Sequence, residues 1–161
     1  MNTEFRRALK PKEIRSLVIF DHKAFQKYPD DWFDRHDWEM LDSWWMIVGN
    51  KKIGCCAFDP HADFQEDVRD DEVNPYSRAS LYIATTGILP RFRGLGFGGL
   101  LKCWQISYAR YNGFTRIVTN SRKSNKPMIK LNEKLGFKVL RTTPNYYDNP
   151  REPTVVMELR L

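Results

Sequence analysis

The sequence has few of the residues that mark a secreted, membrane-bound or metal-binding chain. Its three cysteines, Cys55, Cys56 and Cys103, are an odd number without the spacing of a metal site. No run of eighteen apolar residues is present, and the first fifteen residues are too charged to hold the core of a signal peptide. We therefore expect a soluble, cytoplasmic protein without a bound metal or membrane contact, with reduced thiols in its core.

The composition indicates a globular chain. Hydrophobic residues make up 42% of the 161 residues and aromatic residues 14%, which is typical of a folded domain with a core of its own. We find no internal repeat or linker and predict a single domain over residues 1–161. The sequence leaves open whether this domain is a monomer or a homodimer.

The net charge of +6 is unevenly distributed. Residues 59–80 contain seven acidic residues and two arginines, a local net charge of −5, which leaves +11 for the rest of the chain. The basic remainder could bind phosphates and the acidic region could bind a cationic amine, or both could be solvated faces. Nucleic-acid binding would rest on net charge alone, because no reading helix or base-stacking motif is present.

Hydrophobic periodicity predicts strands and helices in mixed order. The predicted strands cover residues 5–9, 43–48, 51–58, 81–88, 115–119, 138–142 and 154–161, and the predicted helices begin at residues 11, 32, 97 and 125. The strand at 115–119 should run parallel to the strand at 81–88, as a strand-helix-strand crossover requires. Two helices have a predicted buried face: Phe97, Leu101, Trp104, Tyr108 and Tyr111 in one, and Met128, Leu131 and Leu135 in the other.

A loop with four glycines joins the strand at 81–88 to the helix that follows it. Gly94, Gly96, Gly98 and Gly99 allow unusual backbone torsions and carry no side chain that would keep a ligand from the amides. Because the first NH groups of the helix are unpaired, the expected ligand is an anion such as a pyrophosphate. No Lys-Ser or Lys-Thr closes the loop, and the glycine spacing does not fit a dinucleotide fingerprint.

The loop also fits the pattern Arg or Gln, two residues, Gly, one residue, Gly or Ala. Arg91 and Arg93 both give a register. This pattern resembles the acetyl-CoA site of the GNAT acyltransferase superfamily, and the resemblance favours Arg93, because the arginine of that family usually falls three residues after a proline, here Pro90. Residues 125–137, from an Asn to Leu-Gly-Phe, resemble the family's second signature. Residues 145–159 resemble the last strand pair of protein N-terminal acetyltransferases, including those that act on ribosomal proteins.

The resemblance implies an α/β (α+β) fold with a mixed sheet of about six or seven strands, about four helices and a splayed parallel strand pair. It also implies acetyl-CoA as the acyl donor. The backbone of Thr86, Gly87 and Ile88 would bind the pantetheine arm, and an NH near Ile88 would polarise the thioester carbonyl. The residues implied in binding the rest of the coenzyme are Arg93, Gly94, Leu95, Gly96, Phe97, Gly98, Gly99 and Asn125. Asn is also a good helix N-cap, and both roles for Asn125 are compatible.

Proton transfer is where the chain departs from the family. Asn132 stands where relatives have a tyrosine acid, and Asn120 stands where many have a carboxylate base. Tyr146 and Tyr147 are the remaining candidates, with Tyr147 expected to contact the substrate and to act as the acid. The alternative is that one tyrosine packs in the core and the other caps a loop. His61 and the acidic residues of 59–80 could also take a proton.

The predicted activity is N-acetyl transfer from acetyl-CoA to a primary amine by direct attack. A peptide N-terminus is the favoured acceptor. The alternatives are a small amine or polyamine as acceptor, or a CoA-binding module without catalysis.

Overall fold

The computed structural model describes residues 2–59 and 80–161, which form seven β-strands and four α-helices. The strands are β1 (Thr3–Arg7), β2 (Asp42–Val48), β3 (Lys51–Asp59), β4 (Ser80–Ile88), β5 (Arg116–Arg122), β6 (Lys138–Asp148) and β7 (Arg151–Arg160). The helices are α1 (Ile14–Ala24), α2 (Arg35–Met40), α3 (Phe97–Tyr111) and α4 (Lys126–Lys134). The predicted number of strands and helices is confirmed.

All seven strands belong to one sheet, in the hydrogen-bonded order β1-β2-β3-β4-β5-β7-β6. β4 and β5 are parallel, as predicted, and their pairing runs from Ser80 opposite Arg116 to Ile83 opposite Thr119. Both strands continue beyond the last of these pairs, to Ile88 and Arg122.

The chain divides into two compact units. The first holds Met1–Phe58 and Thr85–Lys102. Within it, the predicted hairpin of β2 and β3 turns at Gly49 and Asn50, whose φ angles of 53° and 68° are those of a two-residue hairpin turn. Leu17 and Phe20 of α1 are buried in this unit. The Phe20 ring packs edge-on against the Trp45 ring, with 5.6 Å between the ring centroids.

The second unit holds Asp59–Ala84 and Cys103–Leu161. β7 lies between β5 and β6 and is antiparallel to both. Val118 and Val156 are fully buried, and Tyr82 and Leu140 pack against them. The predicted single domain stays a prediction.

The buried face of α3 differs from the predicted one. Leu101 is buried as expected, but Tyr111 is 92% exposed and Trp104 is half-buried, whereas Lys102 and Gln105 are fully buried. Burial lowers the pKa of Lys102 to about 8. Aromatic residues can line the border of a buried stripe as well as its centre, so helical spacing alone misplaced the stripe by about one position.

Two other predictions about burial were wrong. Cys103 is exposed, because it lies on the outer side of α3, while Cys55 and Cys56 are buried thiols as predicted. In α4 the fully buried residue is Asn132, and the predicted Met128, Leu131 and Leu135 are only half-buried.

Tyr146 and Tyr147 lie inside β6, because this strand continues through two register shifts to Asp148. The strand predicted from the sequence, at 138–142, is shorter and would leave both tyrosines after its end. None of the helices in the described ranges is long and apolar enough to span a membrane.

Candidate active site

The glycine loop of the first unit lies between the end of β4 and the start of α3. After Ile88, a 3₁₀ turn at Pro90–Phe92 leads to Gly94 and Gly96, whose φ angles are 75° and 89°. L-residues with a side chain rarely adopt such angles, so glycine is required here by the backbone itself. An added Cβ at either position would meet no atom within 4 Å, so the space beside the backbone is open.

The amides of this loop are available to a ligand. In the part of the chain that the structure describes, the amides of residues 94–99 have no hydrogen-bond acceptor, and the first paired amide is that of Leu100, which donates to the Gly96 carbonyl oxygen at 3.1 Å. α3 is fifteen residues long, and its dipole is positive at this end. Unpaired amides, open space and a helix N-terminus together suit an anionic group such as a diphosphate.

Arg93 is an exposed residue whose guanidinium group is hydrogen-bonded to the protein. Its Nε donates to the carbonyl oxygen of Ile88 at 2.9 Å, and its Nη2 donates to the carbonyl oxygen of Ala24, the last residue of α1. Gly87 packs against the same end of α1, where an added Cβ would lie 3.3 Å from the Ala24 Cβ and 3.2 Å from a Phe25 ring carbon. The end of β4, Arg93 and α1 therefore form one packed group.

A polar cluster in the second unit joins side chains from four strands. Asn120 Oδ1 accepts a hydrogen bond from the Tyr82 hydroxyl, and Asn120 Nδ2 lies 3.0 Å from Thr154 Oγ1 and 3.4 Å from Tyr147 Oη. The hydroxyl groups of Tyr147 and Thr154 are 3.4 Å apart. Asn120 is thus the centre of the cluster and contacts three hydroxyl groups.

Arg122 packs beside this cluster. Its guanidinium carbon lies 4.0 Å from the centroid of the Tyr147 ring, and its Nη1 bonds Glu152 at 3.2 Å. The Arg122 side chain is 4% exposed, so water does little to screen its charge. The Tyr146 ring packs edge-on against the Tyr147 ring, with 4.9 Å between the ring centroids.

Asn125 and Asn132, which were also considered for the site from the sequence, have different surroundings from each other. Asn125 is exposed and caps α4, where its Oδ1 accepts from the Met128 amide at 3.3 Å. Asn132 is 1% exposed and its Nδ2 lies 3.7 Å from Met157 Sδ. His61 and the acidic residues of positions 60–79 lie outside the described residues.

Sequence reasoning missed Tyr82 and Arg122. Tyr82 had one signal, because it places a polar hydroxyl in the apolar run 81–84 of its strand. Arg122 had no signal, since its partners Asn149, Pro150 and Glu152 are 27 to 30 residues away in the chain.

Comparisons with known proteins agree with this architecture. A family model described as the acetyltransferase (GNAT) family matches residues 11–137. No curated protein matches the sequence.

Several solved structures share the fold. The ribosomal-protein-S18-alanine N-acetyltransferase from Escherichia coli has a TM-score of 0.74 at 17% identity, over 99% of this chain and 94% of that chain. A NatC complex bound to Gag peptide and CoA has a TM-score of 0.76 at 15% identity, over 100% of this chain and 99% of that chain. An IAA acetyltransferase from Bacillus cereus has a TM-score of 0.69 at 14% identity, over 99% of this chain and 100% of that chain.

At these identities the structural likeness shows the fold and leaves the acceptor open. The family match covers most of the chain, including the glycine loop and the parallel strands β4 and β5. The chain therefore belongs to the GNAT family of N-acetyltransferases.

Proposed function

We propose that the chain transfers an acetyl group from acetyl-CoA to a primary amine, by direct attack of the amine on the thioester. The observation that supports the donor most directly is the set of amides at residues 94–99, which have no acceptor among the described residues. These amides would bind the pyrophosphate, with Arg93 holding the loop and Asn125 contributing a further contact. The backbone of Thr86, Gly87 and Ile88 would bind the pantetheine arm.

Acyl transfer to an amine needs few groups on the enzyme. The amine must be held against the carbonyl carbon, and the developing oxyanion and the departing thiolate must be stabilised. An amide near Ile88 would polarise the carbonyl. Tyr147 would protonate the thiolate, and Tyr146 would contact the acceptor.

A peptide α-amine is the acceptor that we favour. An α-amine has a reference pKa near 8, so about a tenth of it is neutral at pH 7, whereas a lysine-type amine near 10.4 is neutral to less than about 0.1%. Asn120 and Asn132 cannot remove a proton, because an amide is not a base in this range. An acceptor that loses its proton readily suits such a site best. The names of the Escherichia coli and NatC neighbours point to the same class of acceptor.

A thiol-release assay with acetyl-CoA tests this proposal. The panel holds peptides with a free N-terminus, the same lysine-containing peptides with an acetylated N-terminus, and a polyamine. We expect turnover of the free peptides and none of the blocked ones. Turnover of the polyamine alone would contradict the peptide acceptor. No thiol release from any amine, together with no acetyl-CoA binding in calorimetry, would contradict the donor as well.

A further inference from the structure

The orientation of the Asn120 amide follows from the hydrogen bonds around it. Thr154 Oγ1 lies 3.1 Å from the Ser121 carbonyl oxygen, which can only accept, so the single hydrogen of the Thr154 hydroxyl is used there. Thr154 is therefore an acceptor for its other neighbours. The group that faces it from Asn120 must be the NH₂, and the Asn120 oxygen then faces the Tyr82 hydroxyl.

The same reasoning fixes the direction of the contacts made by Tyr147. Asn120 Nδ2 donates to Tyr147 Oη at 3.4 Å, and the Tyr147 hydroxyl donates to Thr154 at 3.4 Å. Both contacts are long for hydrogen bonds. The oxygen that would remain after proton loss already faces an NH donor.

The positive charge of Arg122 beside the Tyr147 ring also favours loss of the Tyr147 proton. The buried Arg122 guanidinium lies 4.0 Å from the Tyr147 ring centroid, and this cation, although paired with Glu152, favours negative charge on the phenol oxygen. A carboxylate at position 120 would have the opposite effect, because it would face the same oxygen with a like charge. The neutral amide at position 120 is thus matched to a tyrosine that gives up its proton.

We propose that Asn120 and Arg122 are positioning residues that stabilise the Tyr147 phenolate after Tyr147 has protonated the CoA thiolate. This inference rests on the proposed function. The amine nitrogen forms a bond to the acetyl carbon, the carbon–sulfur bond breaks, and its electron pair stays on sulfur. The Tyr147 proton moves to sulfur, and the phenolate takes up the proton released by the acylated nitrogen, so that Tyr147 ends the cycle neutral.

Other ionisable groups near Tyr147 must be considered in any pH experiment. Among the described residues they include Tyr82 on β4, Tyr146 on β6, and Glu152 on β7, which is paired with Arg122. Burial disfavours the charged form of Glu152, but hydrogen bonds from Ser124 and Arg122 outweigh it and lower its pKa. Glu152 therefore stays ionised near neutral pH and does not add a transition to the alkaline side of a rate profile.

The test compares Asn120→Asp, Arg122→Gln and Arg122→Lys with the wild type, on the best amine of the panel. For Asn120→Asp and Arg122→Gln we expect kcat to fall about 10- to 100-fold, since general acid catalysis contributes about 100- to 10,000-fold. The alkaline limb of the kcat profile should move to higher pH, because both changes make proton loss from Tyr147 harder. The KM for acetyl-CoA should stay unchanged.

Two variants separate this role from a structural one. Arg122→Lys keeps the cation and should retain most of the wild-type kcat. Asn112→Asp adds the same negative charge at an exposed position at the end of α3, and should leave both kcat and the alkaline limb unchanged. A purely structural loss would lower the rate at every pH and would leave the limb in place.

Some outcomes would overturn the inference. If Asn120→Asp keeps or raises kcat, the inference is wrong, and a carboxylate base at this position would be the better account. This variant decides the matter even if the Arg122 variants fail to fold. Tyr147→Phe separates the proposed role of Tyr147 from that of Asn120. An unchanged rate in this variant would contradict the role of Tyr147 itself. A slow Tyr147→Phe beside an unaffected Asn120→Asp would contradict only the role of Asn120.

Discussion

Arg93 donates a hydrogen bond from Nε to the carbonyl oxygen of Ile88 at 2.9 Å, so the motif arginine is tied to the last residue of β4. Its Nη2 donates to Ala24 at the end of α1, where helix carbonyl groups lack partners and a cation is favoured by the helix dipole. Arg93 therefore maintains the shape of the loop that follows it.

Loss of the Arg93 side chain should affect stability and coenzyme affinity together. We expect Arg93→Ala to lower the free energy of unfolding by about 1 to 2 kcal/mol, as for other hydrogen bonds to a charged donor. Acetyl-CoA should bind more weakly by the same factor at low and at high salt, because the effect comes from loop geometry. Denaturant unfolding and calorimetry measure the two quantities.

Arg91→Ala is the matched control for Arg93, since it removes an exposed arginine whose guanidinium lies over the Phe92 ring. It should change the free energy of unfolding by less than about 0.5 kcal/mol. If Arg93→Ala leaves stability unchanged and alters only the salt dependence of binding, Arg93 acts as a phosphate ligand instead.

A methyl group at position 87 should displace α1. The added Cβ would lie 3.2 to 3.3 Å from atoms of Ala24 and Phe25, which is closer than ordinary contacts. We expect Gly87→Ala to cost about 1 to 3 kcal/mol of stability and to raise the KM for acetyl-CoA. Phe25→Leu in the same background should recover part of both losses. Strictly additive effects of the two substitutions would contradict a direct contact.

Asp21 should make the protein less stable as the pH rises through the weakly acidic range. Burial raises its pKa from 3.8 to about 7, with help from the Asp31 charge and against a hydrogen bond from the Phe33 amide at 2.7 Å. Because the folded state then holds a proton that the unfolded state has lost, its stabilising effect is present near pH 4 and disappears by about pH 7.

Asp21→Asn removes this titration. The variant should gain on the order of 2 to 4 kcal/mol relative to wild type between about pH 4 and pH 8. Denaturant unfolding at several pH values measures the difference. A constant difference between the two proteins across this range would show that Asp21 does not titrate as described.

Local sequence signals predicted the elements that carry the candidate site. The Gly49–Asn50 turn, the apolar strand before the glycine loop and the Asn125 cap of α4 each depend on a few adjacent residues, and all three are present in the structure. The glycine loop also carried the family resemblance, which the family match confirms.

Contacts between distant residues could not be predicted in this way. Arg93 and Ala24 are 69 residues apart, and Tyr82 and Asn120 are 38 apart, so no local pattern links them. Asn132 was also unpredictable, because helical periodicity places apolar residues inside and it is the fully buried position of α4.

The central claim, that the amides of residues 94–99 bind the diphosphate of acetyl-CoA, is tested most directly by calorimetry on two glycine variants. Gly94 and Gly113 have φ angles of 75° and 81°, and an added Cβ meets nothing within 4 Å at either position. Alanine should therefore cost both about 1 to 2 kcal/mol of stability through backbone strain. Gly94→Ala should weaken acetyl-CoA binding by about tenfold or more, and Gly113→Ala should leave it unchanged. Equal affinities in the two variants would contradict the account.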